Sequence, residues 1–272
     1  MRNLFTISVN EKTGYITPEG EIAIPPKYDA GGTFHEGLTN VKINQRKFFI
    51  DSSERIMFEA EPDYFYFGFR EGLCVFRIYS PKPIRAGAID VRGNIVIEAT
   101  YESLGNFHNG LAIATLNGKD GFITPRNEIA IPFHFDQCFS FDRGAEYTPF
   151  WNNEQCGFLD RHGRILVEPT YRGATAEEGH YAFICDDQWD WYMIQLSPQG
   201  GQVLSTKPFT FAKHFHDGLA PVVRGEKWGF VNTSGETVIP FTFEGACHFS
   251  EGLAAVNIGG ESGDVDPEGG KW

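Results

Sequence analysis

Residues 227–243, KWGFVNTSGETVIPFTF, hold the features that decide the fold. A tight polar turn at 232–235 stands between two short runs of aromatic and β-branched residues, which is typical of a β-hairpin. The second run ends in Ile-Pro, because proline cannot donate to a strand ladder. Trp228 and Phe230 lie two apart and therefore share one face of the strand, while Gly229 permits close approach on the other. The stretch predicts a packed hairpin rather than a binding site.

Reduced copies of this stretch recur along the chain. Each copy carries the motif Phe-x-x-Gly-Leu or a weaker match, and the motif glycines or their equivalents are Gly37, Gly72, Gly110, Gly144, Gly179, Gly218 and Gly252. Neighbouring glycines are 34 to 39 residues apart. Self-similarity at such a period indicates a repeat architecture. The sequence therefore predicts seven tandem units of about 36 residues.

A polar turn also recurs inside the units. It begins with a short polar side chain and ends with Gly or Asn, which tolerate the left-handed backbone conformation. The best examples are at 17–20, 90–93, 124–127, 160–163 and 232–235. The turn at 51–54 lacks the glycine, and we expect it to form the poorest hairpin. With 31 Gly and 15 Pro, the chain has too many turn residues for helical repeats, and each unit should hold roughly four short strands.

Units of this size cannot bury both faces of a sheet alone, so neighbouring units must stack. The favoured all-β architecture is a propeller-like ring, which protects its sheet edges; the alternative is an open β-solenoid of stacked hairpin units. If the ring closes, residues 4–9 should join a sheet of the last unit. We assign residues 1–258 to a single repeat domain and residues 259–272 to an acidic, glycine-rich, flexible C-terminal tail.

The combined pattern resembles the WG repeat family of bacterial proteins, also called the KWG repeat family. The resemblance rests on KWGFV at 227–231, Gly235, VIP at 238–240, Phe243 and FSEGLA at 249–254. It extends from about Gly14 to Val256, although Trp is missing before several glycines and Phe48-Phe49 replaces the Gly-aromatic pair of one unit. It implies a β-rich repeat protein that binds partners, and it implies no catalytic residues. The terminal Gly270-Lys271-Trp272 looks like the start of another repeat.

Composition narrows the class of partner. The formal net charge of −13 argues against a nucleic acid or an anionic membrane as partner. No apolar stretch has the length of a signal peptide core or of a membrane span, so we predict a soluble, cytoplasmic protein. Five scattered cysteines without a Cys-x-x-Cys pair indicate neither a disulfide framework nor a structural zinc site.

Three histidines stand at equivalent places, directly after the motif phenylalanine: His35, His108 and His216. Three imidazoles can bind zinc only where they converge within a few ångström, and a ring would hold them apart unless they face its channel. The simpler interpretation is that they are polar residues of exposed turns. They remain candidate binding residues, and we predict no metal site.

The segment 177–192 departs most from the repeat and combines acids with aromatic residues. Deviating loops on a regular scaffold often carry binding, and Trp and Tyr dominate binding hot spots. The candidates are Trp189, Trp191 and Tyr192, although the same rings could fill an irregular core. The acids at 186, 187 and 190 lack the alternating ligands and the glycine of a calcium loop.

No hydrolase nucleophile elbow, zinc-protease helix or phosphate-binding glycine loop is present, so we predict neither catalysis nor a cofactor. The predicted function is a non-catalytic repeat scaffold that mediates protein–protein interaction, with another protein as partner. The alternative is binding of a carbohydrate or small ligand through exposed aromatic residues. A protein-binding surface should present its aromatics as one broad patch, whereas a ligand-binding protein should hold them in separate concave pockets.

Overall fold

A computed structural model describes residues 4–205 and 207–270, which form thirty β-strands and one 3-10 helix. The chain divides into two compact halves, the first ending at His134 and the second beginning at Phe135. No helix within the described ranges is long and apolar enough to cross a membrane.

The first half contains four antiparallel sheets, β1–β3, β4–β7, β8–β11 and β12–β15. Their strands are β1 (Phe5–Val9), β2 (Lys12–Ile16), β3 (Ile22–Tyr28), β4 (Ala30–Gly31), β5 (Leu38–Ile43), β6 (Arg46–Asp51), β7 (Ile56–Ala60), β8 (Tyr64–Arg70), β9 (Leu73–Ile78), β10 (Arg85–Asp90), β11 (Ile95–Tyr101), β12 (Ser103–Leu104), β13 (Ala112–Leu116), β14 (Lys119–Ile123) and β15 (Ile129–Phe135).

The second half contains the sheets β16–β19, β20–β23, β24–β27 and β28–β30, together with the 3-10 helix Asp142–Gly144. Their strands are β16 (Gln137–Cys138), β17 (Tyr147–Asn152), β18 (Gln155–Asp160), β19 (Ile165–Tyr171), β20 (Gly173–Ala174), β21 (Tyr181–Cys185), β22 (Trp191–Ser197), β23 (Gly200–Val203), β24 (Phe211–Ala212), β25 (Leu219–Arg224), β26 (Lys227–Asn232), β27 (Thr237–Phe243), β28 (Gly245–Ala246), β29 (Ala254–Ile258) and β30 (Glu261–Val265).

Each of the seven repeat glycines precedes the second strand of one sheet. The sheet β1–β3 comes before the first of these glycines, so the described residues hold eight sheets. Strand β1 pairs with β2, with Phe5 opposite Ile16, and it belongs to this first sheet. The pairing expected for residues 4–9 with the last unit is therefore replaced by a local hairpin, whose two-residue turn costs little loop entropy.

The Trp-Gly pair owes its glycine to a β-bulge. Pairing of β26 with β27 shifts register around Gly229, and a Cβ atom placed there would lie 2.7 Å from the carbonyl oxygen of Ile239. Gly14 and Gly121 meet the carbonyl of the residue before proline in the same way, at 2.6 and 2.7 Å. The close approach predicted at Gly229 is confirmed, since only a residue without a side chain leaves room for the inward-turned carbonyl.

The acidic unit β20–β23 has no glycine at this place. Tyr192 stands where other units have the glycine, and β22 pairs with β23 in continuous register only from Ile194–Val203 to Ser197–Gly200. Trp191 pairs instead with Phe209, so the register shifts between Trp191 and Ile194. A register shift also occurs between Phe49 and Ile50, where Phe48 replaces the glycine. A register shift therefore does not by itself require the glycine.

The predicted polar turns form. At 90–93 the amide of Gly93 donates to the carbonyl of Asp90 over 3.0 Å, and the Asp90 carboxylate accepts the amide of Arg92. The glycine takes φ +86°, the left-handed conformation. In the turn without glycine, Glu54 carries φ +64°, which is costly for a residue with a Cβ atom. This is the physical reason for expecting a poor hairpin at 51–54.

Residues 259–272 are predicted to form a flexible tail, but their described part contains a strand and a turn. Strand β30 pairs with β29, and Val265 is fully buried opposite Ala254. A turn at 266–269 follows, in which the Gly269 amide donates to the carbonyl of Asp266 over 2.9 Å. Its sequence, DPEG, repeats the TPEG turn at 17–20, so the acids belong to a turn signal rather than to a disordered composition. Lys271 and Trp272, predicted to begin another repeat, lie outside the described residues.

Apolar faces of consecutive sheets build the core. In the last sheets Phe230, Ile239, Phe249 and Val265 form one buried cluster. Four of the five cysteines are buried as well. Burial raises the pKa of Cys74 to about 11, so its thiol stays protonated and packs as a small apolar group.

Candidate functional site

Two sheets depart from a shared feature of the scaffold, the turn between the second and third strands, or between β1 and β2 in the three-stranded first sheet, which we call the middle turn. In the other six sheets it has two residues, at 10–11, 44–45, 117–118, 153–154, 225–226 and 259–260. Between β9 and β10 it is replaced by residues 79–84, here named the proline loop. Between β21 and β22 it is replaced by residues 186–190, here named the acidic loop. Both loops lengthen the scaffold at the same place.

Compact middle turns are held by a carboxylate that follows the last strand of the preceding sheet. Asp29 accepts the Asn44 amide over 2.7 Å, and Glu102 accepts the Gly118 amide over 3.0 Å. In the acidic unit this place belongs to Arg172, whose Nε donates to Asp187 over 2.9 Å. An acidic anchor that binds a backbone amide is thus replaced by a basic anchor that binds an acidic side chain of the loop.

The acidic loop is internally braced. The Asp186 carboxylate accepts the amides of Gln188 and Asp190 over 2.9 and 3.0 Å. The Trp189 amide donates to the Asp186 carbonyl, which places Trp189 at φ +66°. Its side chain is 66% exposed. A large ring in a left-handed turn position at the surface contributes nothing to core packing, so Trp189 fits the binding role predicted for it.

The neighbouring candidates differ from Trp189 in burial. Trp191 is half-buried, with its ring edge-on to Phe211 at 5.6 Å and its backbone hydrogen-bonded to Phe209. Tyr192 is also half-buried; burial, and then the nearby carboxylates of Asp186 and Asp190, raise the pKa of its hydroxyl. The structure brings the three candidates onto one hairpin, but only Trp189 is mainly solvent-facing.

The three candidate histidines occupy equivalent turns, as predicted. The backbones of His35, His108 and His216 each pair with the leucine three residues later. All three side chains are half-buried. Burial and the charge of Arg70 lower the pKa of His35. Among the residues that the structure describes, no group of three or more His, Cys, Asp or Glu side chains converges as a metal site.

These turns carry a contact that the sequence did not reveal. The Glu36 carboxylate accepts the amides of Glu71 and Gly72 in the next unit, over 2.7 and 2.9 Å. Glu71 in turn accepts the amides of Asn109 and Gly110. Two successive amides with left-handed backbones form a natural anion-binding nest. Each glutamate therefore fastens its turn to the following one, which gives the turns of His35 and His108 a structural role.

The proline loop adjoins an aromatic surface that sequence reasoning missed. It comprises Phe65, Phe67, Tyr79 and Ile84, all exposed, and is named the β8 patch. The Phe65 ring lies 5.0 Å from that of Phe67 and 6.4 Å from that of Tyr79, both edge-on. The aromatic rings are thus in mutual contact and form one continuous surface. Exposed apolar groups in contact mark interaction sites, whereas scattered ones do not.

Strand alternation and a bulge expose these rings. Tyr64 and Tyr66 pack into the buried cluster of Phe49 and Phe76, so the intervening Phe65 faces the other side of β8. Register then shifts between Tyr66 and Phe69, and the bulge turns Phe69 into the core.

The next sheet leaves this outer face uncovered. Arg77, directly opposite Phe65, donates to Ser103 of β12 over 3.1 Å, so the face points toward β12. Strand β12 has two residues whereas β8 has seven. The short strand cannot span the length of β8, and Phe65 stays 53% exposed.

Comparison with known proteins agrees with this scaffold. The family model described as WG containing repeat matches residues 14–46, 87–119, 121–147, 200–228 and 228–261, which together are more than half of the chain. The chain belongs to the WG-containing repeat family, and the predicted resemblance is confirmed. No curated protein sequence matches it.

Solved structures support the fold class. A structure titled "Crystal structure of the eukaryotic initiation factor" is similar over 100% of this chain and 84% of that chain, with a TM-score of 0.65 and 11% identity. BamB from Moraxella catarrhalis matches 99% of this chain and 94% of its own, with a TM-score of 0.45 and 11% identity. The all-β, propeller-like class of tandem four-stranded antiparallel sheets is confirmed.

Proposed function

We propose that this chain is a non-catalytic repeat scaffold that binds another protein through the β8 patch. The observation that carries the proposal is that the exposed rings of Phe65 and Phe67 on β8 and of Tyr79 in the proline loop are in contact. A broad aromatic surface is the arrangement expected for protein binding, since aromatic anchors supply most interface energy. The repeat sheets serve to hold this surface rigid.

A double substitution tests the proposal. Phe65→Ser with Phe67→Ser removes the patch, while Ile22→Ser removes a comparably exposed apolar side chain elsewhere in the first half. Proteins captured from a lysate by the natural chain would be purified and their binding measured with each variant. We expect the double variant to weaken binding at least about tenfold and Ile22→Ser to leave it unchanged. Equal binding by all three proteins would contradict the proposal.

The second candidate function is carbohydrate binding, favoured by one observation. Trp189 is highly exposed and stands among carboxylates that can accept hydrogen bonds from sugar hydroxyls. A glycan array with the natural chain and with Trp189→Ala tests it. Binding that Trp189→Ala abolishes would support this candidate, whereas an array without signal would leave protein binding as the function.

A further inference from the structure

We infer that the β8 patch receives an acidic segment of the partner that carries bulky apolar side chains; this inference rests on the proposed function. Charge distribution gives the first argument. Residues 64–85 contain four basic residues, Arg70, Arg77, Lys82 and Arg85, and one acid, a net charge of +3 within a chain of −13. The strands and the loop that carry the patch are therefore locally basic within an acidic protein, and complementary potentials select the partner.

The one acid in this segment is already engaged. Both carboxylate oxygens of Glu71 accept backbone amides of the turn at 109–110. Two acids, Glu61 and Asp63, precede the segment, and the charge of Asp63 acts on Lys47, whose ammonium donates to the Tyr64 carbonyl over 2.6 Å. Among the described residues, none of these carboxylates is in an ion pair with a cation around the patch.

The cations beside the patch are not paired with carboxylates. The Arg77 guanidinium stands 5.0 Å from the centre of the Phe67 ring and uses Nη2 for Ser103, but its Nε is buried and makes no hydrogen bond. Arg85 donates only to the Ile84 carbonyl, at 3.2 Å. Lys82 is exposed between Pro81 and Pro83. Within the described part of the chain, none of these three is in an ion pair with a carboxylate.

The apolar and the basic groups are interleaved rather than segregated. Arg77 lies directly across the strand pair from Phe65, and Lys82 belongs to the loop that begins with Tyr79. An occupant that buries an apolar side chain on these rings must therefore place its next residues against positive charge. An acidic segment with aromatic or large aliphatic residues satisfies both requirements, whereas a basic or purely apolar one leaves cations desolvated and unpaired.

Selection from a random-peptide phage library on the purified full chain tests the inference. We expect enriched sequences with Asp or Glu next to Trp, Phe, Leu or Ile. A synthetic peptide of the consensus should lose at least about tenfold in affinity for Phe65→Ser/Phe67→Ser and for Lys82→Glu. Arg126→Glu, an exposed charge reversal in a turn of the same half, is the matched control and should keep full affinity. Affinity should fall as NaCl rises from about 0.05 M to about 0.5 M.

The outcomes separate the two proposals. A neutral or basic consensus, or an affinity that Lys82→Glu does not change, would overturn the inference that the occupant is acidic. If the affinity still depends on Phe65 and Phe67, the proposed function stands. Peptides that bind equally to all variants, or no enrichment at all, overturn both. Concentration-dependent self-association that Phe65→Ser/Phe67→Ser abolishes would make the occupant a second copy of this chain and overturn its assignment to a separate partner.

Discussion

The proline loop and the acidic loop lie at the same place in their sheets and have opposite chemistry. Both replace a two-residue middle turn, one beside a segment with net charge +3, the other with three aspartates in five residues. One adjoins three exposed rings in contact; the other displays a single exposed tryptophan. The repeat tolerates both because register and burial of the flanking strands fix the scaffold, and loop length adds little entropy cost. The middle turn is thus the variable position of this protein.

The largest expected effect is the difference in stability between removing a buried ring and removing an exposed ring near the proline loop. Phe76 is fully buried and stacked on Tyr64 at 4.6 Å, whereas Phe65 on the paired strand is mainly exposed. We expect Phe76→Ala to lower the free energy of unfolding by about 3–5 kcal/mol, because it leaves a cavity. Phe65→Ser should change it by no more than about 0.5 kcal/mol. Urea unfolding followed by fluorescence measures both, and equal losses would contradict the assignment of Phe65 to the surface.

The next effect concerns the glycine that the sheet of the proline loop has and the sheet of the acidic loop lacks. A Cβ atom at Gly87 would overlap the carbonyl oxygen of Ile97 and lie 2.8 Å from the Phe76 ring. We expect Gly87→Ala to destabilise the protein by about 1–3 kcal/mol through overpacking. Tyr192 holds the equivalent place in the acidic sheet, and because the backbone there already accommodates a Cβ atom, Tyr192→Ala should cause no such clash. Thermal unfolding compares them; a neutral Gly87→Ala would show that the bulge can relax.

A smaller effect tests how the acidic loop is braced. Asp186→Ala removes two hydrogen bonds to loop amides, and we expect a loss of about 1–2 kcal/mol in local stability. Arg172→Ala removes an exposed ion pair and should cost no more than about 1 kcal/mol. Hydrogen exchange of the amides at 188 and 190 should accelerate more in Asp186→Ala. The reverse order would assign the bracing to the Arg172 anchor.

The smallest expected effect is a pH dependence of stability that arises from Glu177, which precedes the second strand of the acidic unit. Burial raises the pKa of Glu177, although amides of Tyr147 and His180 partly oppose this. The folded state therefore binds the proton more tightly than the unfolded chain. The resulting stabilisation is complete below the ordinary glutamate pKa and is lost as pH rises through the raised pKa. The difference in unfolding free energy between the natural chain and Glu177→Gln should follow this sign, and a pH-independent difference would contradict it.

Particular residues show which features of the structure the sequence predicts. The turn at 90–93 and the glycine of the Trp-Gly pair follow from local conformational rules, and the structure confirms them. The spacing also held a signal for both loops: the two widest intervals between repeat glycines, 38 residues from Gly72 to Gly110 and 39 from Gly179 to Gly218, contain them. Composition alone singled out the acidic loop, because tryptophan among aspartates is conspicuous. Composition did not reveal the β8 patch, because a strand rich in aromatic residues is typical of a buried strand.

The sequence by itself determined the repeat, its strands and its turns, since these depend on residues close together in the chain. Whether a given ring of β8 is buried was decided only in three dimensions. Tyr66 packs into the cluster that includes Phe49 of the preceding sheet, while Phe65 stays exposed on the face that points toward the two-residue strand β12. Burial is a property of what another segment places over a side chain, and no local pattern in residues 64–70 records the length of β12.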